Sequence, residues 1–194
     1  MRDRRAERNA ATRAEILEAA WALVREEGPA GLSLRDLGRR VGMRAQSLYS
    51  YFDSKHAIYD ALFAEGCREL LDRMGEAPFS DDPTEALRQR LHLVVAFAIE
   101  DPARYQLLFQ RTIPGFEPSP ESYALAVEAV EGTKAQLAAL GLTESRHLDL
   151  TTAVIAGLVA QQHANDPTGD RWVRLVDEAI DMLMHHLKPR RRRR

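Results

Sequence analysis

The side chains best suited to chemistry in this chain are clustered on one short segment, SLRDLGRRVGMRAQSLYSYF (33–52). Leu34, Leu37 and Val41 recur at helical spacing, Gly42 breaks the run, and Leu48 and Phe52 follow at i and i+4. That spacing predicts a short helix, a glycine turn and a second short helix over about Ala45–Tyr51. If Leu48 and Phe52 face inward, Arg44, Gln46, Ser47, Tyr49 and Ser50 face outward. An anchored stripe opposite a row of hydrogen-bonding side chains is what a helix needs to read base edges in a major groove. The same spacing also serves a plain αα-hairpin with a wet surface, and spacing alone does not separate the two.

Two details point toward nucleic acid. Tyr49 and Tyr51 flank the exit of the second helix, and large amphipathic rings on so short an element call for a partner. Lys55 falls in the first turn of the following helix, where a cation opposes the macrodipole. Together with the free N–H groups of that turn, Lys55 would instead suit a phosphate.

Catalytic chemistry has little to work with. There is no Gly-rich phosphate loop, nucleophile elbow, metal-ligand spacing or carboxylate pair, so no catalytic residue, metal or cofactor is expected. His185 and His186 are adjacent, about 100° apart on a helix, not the i, i+4 pair of metal sites. Cys67 is the one cysteine, which rules out an internal disulfide and fits a reducing cytosol. An enzyme remains the rival of a different class, addressed by an activity screen. A constitutive architectural DNA binder is the second, separated by an effector-titrated gel shift.

The elements that must hold this segment are all helical. Thr12-Arg13-Ala14-Glu15 reads as a capping box opening a first helix with Ile16, Leu17, Ala20, Leu23 and Val24, ended by Gly28-Pro29. Ser33 caps the second helix, and Asp53-Ser54 caps a long fourth reaching about Met74. Gly75 to Pro83 is a polar linker. Asp82-Pro83 starts a fifth helix, which stops at Glu100-Asp101-Pro102 where a sixth begins. Ser119-Pro120 starts a seventh ending near Gly141, Thr143 caps an eighth to about Asn165, and a ninth runs from about Asp170 to Leu187. The fold class is therefore all-α, with about nine helices: an N-terminal three-helix helix-turn-helix domain and a C-terminal helical body.

Charge divides the chain in the same sense. Residues 1–56 carry a balance of +3, residues 57–187 one of −11, and residues 188–194 add +6 to give the net −2. A basic front and an acidic body suggest that only the front meets a polyanion. The expected domains are 1–56 for DNA binding, 57–187 for ligand binding and dimerisation, and a basic tail at 188–194. No membrane span is expected, and the charged N-terminus lacks the apolar core of a secretory leader, so a cytoplasmic protein is expected.

The stretch from Thr12 to about Ala64, centred on GLSLRDLGRRVGMRAQSLYSYFDSKHAIYDALF, resembles the DNA-binding domain of the TetR family of bacterial regulators. The run Leu48-Tyr49-x-Tyr51-Phe52-x-Ser54-Lys55 is the specific part. The resemblance implies that Arg44, Gln46, Ser47 and Tyr49 lie in or beside the major groove, and that Ser33, Tyr51 and Lys55 hold phosphates. Gln46 stands where the family usually has a small residue, and its amide has the atoms for a bidentate contact to adenine. Beyond the first third the likeness is one of helical layout, with DPARYQLLFQRTI (101–113) and AGLVAQQHANDP (156–167) similar to a regulatory-domain subtype.

The partners so implied are double-stranded DNA with an inverted repeat, a second copy of the chain, and a small-molecule effector. LDLTTAVIAGLVA (148–160) is apolar almost all round. It suits either the centre of a monomeric bundle or a dimer interface built from Val154 and Leu158 with Leu175, Ala179 and Leu183 of the last helix. Gly157, Ala153 and Ala160 would let two such helices approach closely. Phe97, Tyr105, Phe109, Tyr123 and Gln162 are the expected effector contacts, although each aromatic also reads as ordinary core. His92, Gln161 and His163 are further polar groups on apolar helices.

Overall fold

The computed structural model describes residues 4–187. Its helices are α1 (Arg4–Glu27), α2 (Leu34–Arg40), α3 (Ala45–Leu48), α4 (Lys55–Glu76), α5 (Pro83–Glu100), α6 (Pro102–Phe109), α7 (Pro120–Ala139), α8 (Ser145–Asn165) and α9 (Val176–Leu187). Short 3-10 turns occupy Pro29–Gly31 and Val173–Leu175. Among the described residues there is no strand. The basic tail expected at 188–194 lies outside them.

Most boundaries follow from capping chemistry. The Ser54 hydroxyl accepts from the Ala57 N–H at 3.0 Å and opens α4. The Asp82 carboxylate accepts from Glu85 N–H at 2.9 Å and opens α5. Asp101 takes the N–H groups of Ala103 and Arg104 at 3.1 and 3.0 Å and opens α6, with Pro102 at the first helical position.

Four boundaries differ from the sequence expectation, one of them the start of α9, at Val176 after the turn Val173–Leu175 rather than at about Asp170. α1 starts at least eight residues before Thr12, since the Ala-, Arg- and Glu-rich run RRAERNAA propagates helix without needing a cap there. α3 is a single turn ending at Leu48, after which the N–H groups of Tyr51 and Phe52 both return to the Leu48 carbonyl, each at 2.9 Å. α8 is capped by Glu144 rather than Thr143. The reason lies in the preceding turn. Gly141, at φ +78°, lets Leu142 N–H return to the Leu137 carbonyl and its own N–H to that of Ala138, both at 2.9 Å. That turn buries Leu142 and leaves Thr143 still in the connection. Glu144 and His147 then exchange side-chain bonds with each other's backbone as a capping box.

Packing forms two compact units. The first takes residues up to Glu69 together with Asp101–Leu125; the second takes Leu70–Glu100 and the residues from Ala126 on. The core of the first unit is built from Ile16, Ala20 and Val24 of α1, Leu37, Leu48, Phe52, and Ile58, Tyr59 and Leu62 of α4. Ala103 and Leu107 of α6 complete it, so packing groups residues beyond position 56 with the front of the chain. In the second unit α5, α8 and α9 pack together around Leu87, Leu91, Ile155, Val159, Val176 and Ile180.

Candidate nucleic-acid interface

The segment 33–55 is held from below and left open above. Ser33 Oγ accepts from Asp36 N–H at 3.4 Å and starts α2. Gly42, at φ +67°, turns the chain, and the Met43 N–H closes the turn on the Gly38 carbonyl at 2.8 Å. Gly38 is required for closeness: a Cβ there would lie 2.7 Å from the Met43 carbonyl oxygen and 3.1 Å from the Ala45 nitrogen. The start of α3 is thereby pressed against α2 at a fixed angle. Leu48 and Phe52 are buried, at 1% and 3% exposure, as their i, i+4 spacing requires.

Arg44, Gln46, Ser47, Tyr49 and Ser50 are exposed, and their side chains make no hydrogen bond or ion pair with the other described residues. Tyr49 is 52% exposed. Polar groups so placed in a rigid frame are free to meet an outside partner. Tyr51 differs from expectation: it is half-buried and packed on the core, so only part of its ring and its hydroxyl remain available. Ser33 and Lys55 are also half-buried.

The residue that fixes the exit of α3 lies outside the expected set. Arg13 of α1 donates from Nη1 to the Tyr51 carbonyl, and its guanidinium stacks 4.1 Å from the Phe52 ring centroid. Its position on the inner face of α1 was the available signal. Below Lys55, whose Nζ lies 5.4 Å from the Tyr59 ring, Tyr59 donates its hydroxyl to the Pro29 carbonyl at 2.6 Å. Burial pushes the Tyr59 phenol up to about 12. Tyr59 also meets Phe116, whose ring centroid is 5.6 Å away.

The expected effector contacts fall in two places. Tyr105, Phe109 and Tyr123 belong to the first unit, with the rings of Tyr105 and Phe109 5.7 Å apart. Tyr105 is buried, whereas Phe109 and Tyr123 are exposed. Phe97 and Gln162 belong to the second unit and are both buried. The Gln162 amide is committed to the α8–α9 connection. Its Nε2 donates to the carbonyls of Asp166 and Gly169, and its Oε1 accepts from Trp172 and Val173 N–H. No hydrogen-bonding capacity is left over for an effector.

On α8 the buried face is His147, Thr151, Ile155, Val159 and Gln162. Val154 and Leu158 are half-buried, and Leu150, Ala153 and Gly157 are exposed, with open space where a Gly157 Cβ would be. Leu175, in the turn before α9, and Ala179 of α9 lie at half-buried positions, but Leu183 faces the core with Val176 and Ile180, and Met182 is an exposed apolar residue. A helix rotation of about 100° per residue separates the two, so the outward stripe is centred one residue from the expectation. Arg88 of α5 bonds Asp177 and Asp181 of α9 at 2.7 and 2.5 Å, and His92 bonds Asp177 at 2.8 Å. The His92 bond, then that from Arg88, holds the Asp177 carboxyl below the usual carboxylate range.

Among the described residues no group of three or more His, Cys, Asp or Glu is arranged to hold a metal, and no helix is long and apolar enough to cross a membrane.

Fold and exposed face together define a helix-turn-helix protein. Residues 16–62 match the N-terminal domain of the bacterial regulatory proteins, tetR family. Over those residues the chain is similar to the TetR family. It is 29% identical over 136 residues to the HTH-type transcriptional regulator Rv1816 of Mycobacterium tuberculosis, an alignment covering 66% of this chain and 56% of that one. The chain thus spans about half the length of the curated relatives it matches. Two solved structures share the fold. PfmR of Thermus thermophilus, a TetR family transcriptional regulator, superposes with a TM-score of 0.63 at 24% identity, covering 90% of this chain and 99% of that one. FadR of Bacillus subtilis, solved in complex with stearoyl-CoA, gives 0.64 at 16%, covering 88% and 96%.

Proposed function

We propose that this protein is a sequence-specific DNA-binding transcriptional regulator acting in the cytoplasm, a homodimeric repressor released from its operator by a small, largely apolar effector. The observation that carries the reading is the outward row Arg44, Gln46, Ser47 and Tyr49, free of internal partners and mounted on buried Leu48 and Phe52. Such side chains supply direct readout, with Ser33, Tyr51 and Lys55 set beside them to hold phosphates. Residues 1–56 carry recognition and residues 57–187 effector binding and dimerisation.

Dimerisation is supported by the exposed Leu150, Ala153 and Gly157 of α8 and Met182 of α9, flanked by Val154, Leu158, Leu175 and Ala179. One recognition helix per subunit then calls for two half-sites about 34–36 Å apart, or a multiple of that. Release requires an effector that binds one conformation better than the other. The lever proposed is α4, which contributes residues to both units and begins at Lys55. The stearoyl-CoA of the FadR structure supports a largely apolar effector class for a protein of this fold.

The test is a selection of bound DNA from random sequence by the full chain, followed by sedimentation of the complex. A palindromic consensus bound by two subunits is expected. Binding without sequence preference, or by a monomer to a single asymmetric site, would overturn the reading.

A further inference from the structure

Arg88 and Arg90 of α5 are placed differently. Arg88 is bonded to two carboxylates. Arg90 has none among the described residues. Its Nη1 meets only the Met74 sulfur, at 3.0 Å, and its Nε is buried without a partner. The Phe79 ring lies 4.9 Å from its guanidinium carbon. Burial disfavours the charged form, as the downward shift of its pKa records. This half-buried cation faces a thioether and an aromatic ring, and its Nε lacks an acceptor.

The opposite wall is shaped for the guanidinium. Gly132 of α7 leaves room for it: a Cβ there would fall 2.6 Å from Nη1 and 2.8 Å from the central carbon. One turn further along the same face of α7, Gln136 buries its amide oxygen without a partner. Turned about its terminal bond, that amide offers an N–H donor in the same place. Two unpaired polar groups and a missing side chain thus occur on facing helices.

We propose that Arg90 is an anion seat for the carboxylate of an amphipathic monocarboxylic acid, with the Gln136 amide as second donor and Phe79 beside its apolar chain. A carboxylate matches the guanidinium fork with two parallel bonds and removes the cost of the unpaired charge. The proposal rests on the effector-binding reading above and narrows its chemical class from an apolar molecule to an apolar acid.

The experiment is calorimetric titration of the full chain with sodium octanoate and, separately, with 1-octanol. Octanoate is expected to bind about 10–100-fold more tightly than octanol, the factor that hydrogen bonds to a charged group supply. Arg90→Met, which keeps the apolar stem, should bring octanoate down to the octanol level while the helical circular dichroism is unchanged. Gly132→Ala should weaken octanoate by displacing the guanidinium and leave octanol nearly unaffected, which decides the matter should Arg90→Met not fold. Equal binding of the two probes by the wild-type chain, no binding of octanoate, or a preference for octanoate that survives both substitutions would overturn the proposal. Failure of the effector-release reading shows differently, as octanoate bound with no change in operator affinity in a gel shift.

Discussion

The two compact units differ in how their polar groups are placed. In the first, α1, α2, α3, α4 and α6 enclose a dry core, and around α3 the polar side chains point outward into solvent. Its internal polar links include Trp21, which donates to Glu65 at 2.9 Å, Arg25, which donates to Asp101 at 2.7 Å, and Asp60, which takes Ser119 and Ser122 hydroxyls, each at 2.9 Å. In the second, apolar residues such as Leu150, Val130 and Met182 are exposed, while Arg90 Nε, Gln136 Oε1 and Trp172 Nε1 are buried without partners. A packed core with free polar groups on its rim suits recognition by a preformed surface. Exposed apolar stripes and unpaired buried polar groups mark a body that is completed by something else, another subunit or a ligand.

The sharpest way to break this contrast is through the anchor of α3. Leu48→Ala should cost about 2–5 kcal/mol in urea unfolding, since it empties a fully buried site, and should abolish operator binding with it. If stability falls by less than about 1 kcal/mol, the frame beneath the reading face is not the rigid one described.

Alkaline titration probes the same interior. Burial raises the Tyr59 phenol to about 12 and the Cys67 thiol to about 11, so the folded chain holds these protons longer than the unfolded one. Their contribution is fully present below the unfolded values, about 8.5 for the thiol and about 10 for the phenol, and is lost as pH rises toward 11 and 12. Thermal unfolding followed from pH 8 to 11 should show a loss on the order of 4 kcal/mol over that window. Cys67→Ser at constant slope would show that the thiol plays no part.

Smaller effects separate roles on the outer face. Gln46→Ala or Ser47→Ala should relax preference at particular base positions, by about 1–3 kcal/mol for a bidentate contact and less for a single bond. Lys55→Ala should weaken binding to all sequences alike and lower the salt slope by about one. Competition assays on matched and mutated operators would show the reverse pattern if the roles were exchanged.

The smallest change in subunit stability is expected where the second unit is incomplete. Met182→Lys, on an exposed side chain, should alter monomer unfolding by no more than about 0.5 kcal/mol, yet shift sedimentation toward monomer by placing charge in the proposed interface. A dimer that persists at the same concentration would move the interface away from α9.

Periodicity and capping residues carried the number of helices and most of their ends, because a cap or a glycine stop is satisfied by neighbours a few residues away. The reading face of α3 was legible for the same reason: Leu48 and Phe52 declare which side is anchored, and the remaining side chains follow. What lay beyond the sequence depends on contacts between distant residues. Arg13 reaching the Tyr51 carbonyl, Met182 rather than Leu183 outermost on α9, and Gln162 spent on its own connecting loop are set by which neighbouring helix arrives at each face. The grouping of α6 with the front of the chain is of the same kind, as is the pairing of Arg90 with the bare backbone of Gly132. An amphipathic pattern states that a face is covered without naming what covers it, and only the packed structure chooses among apolar surfaces that are chemically alike.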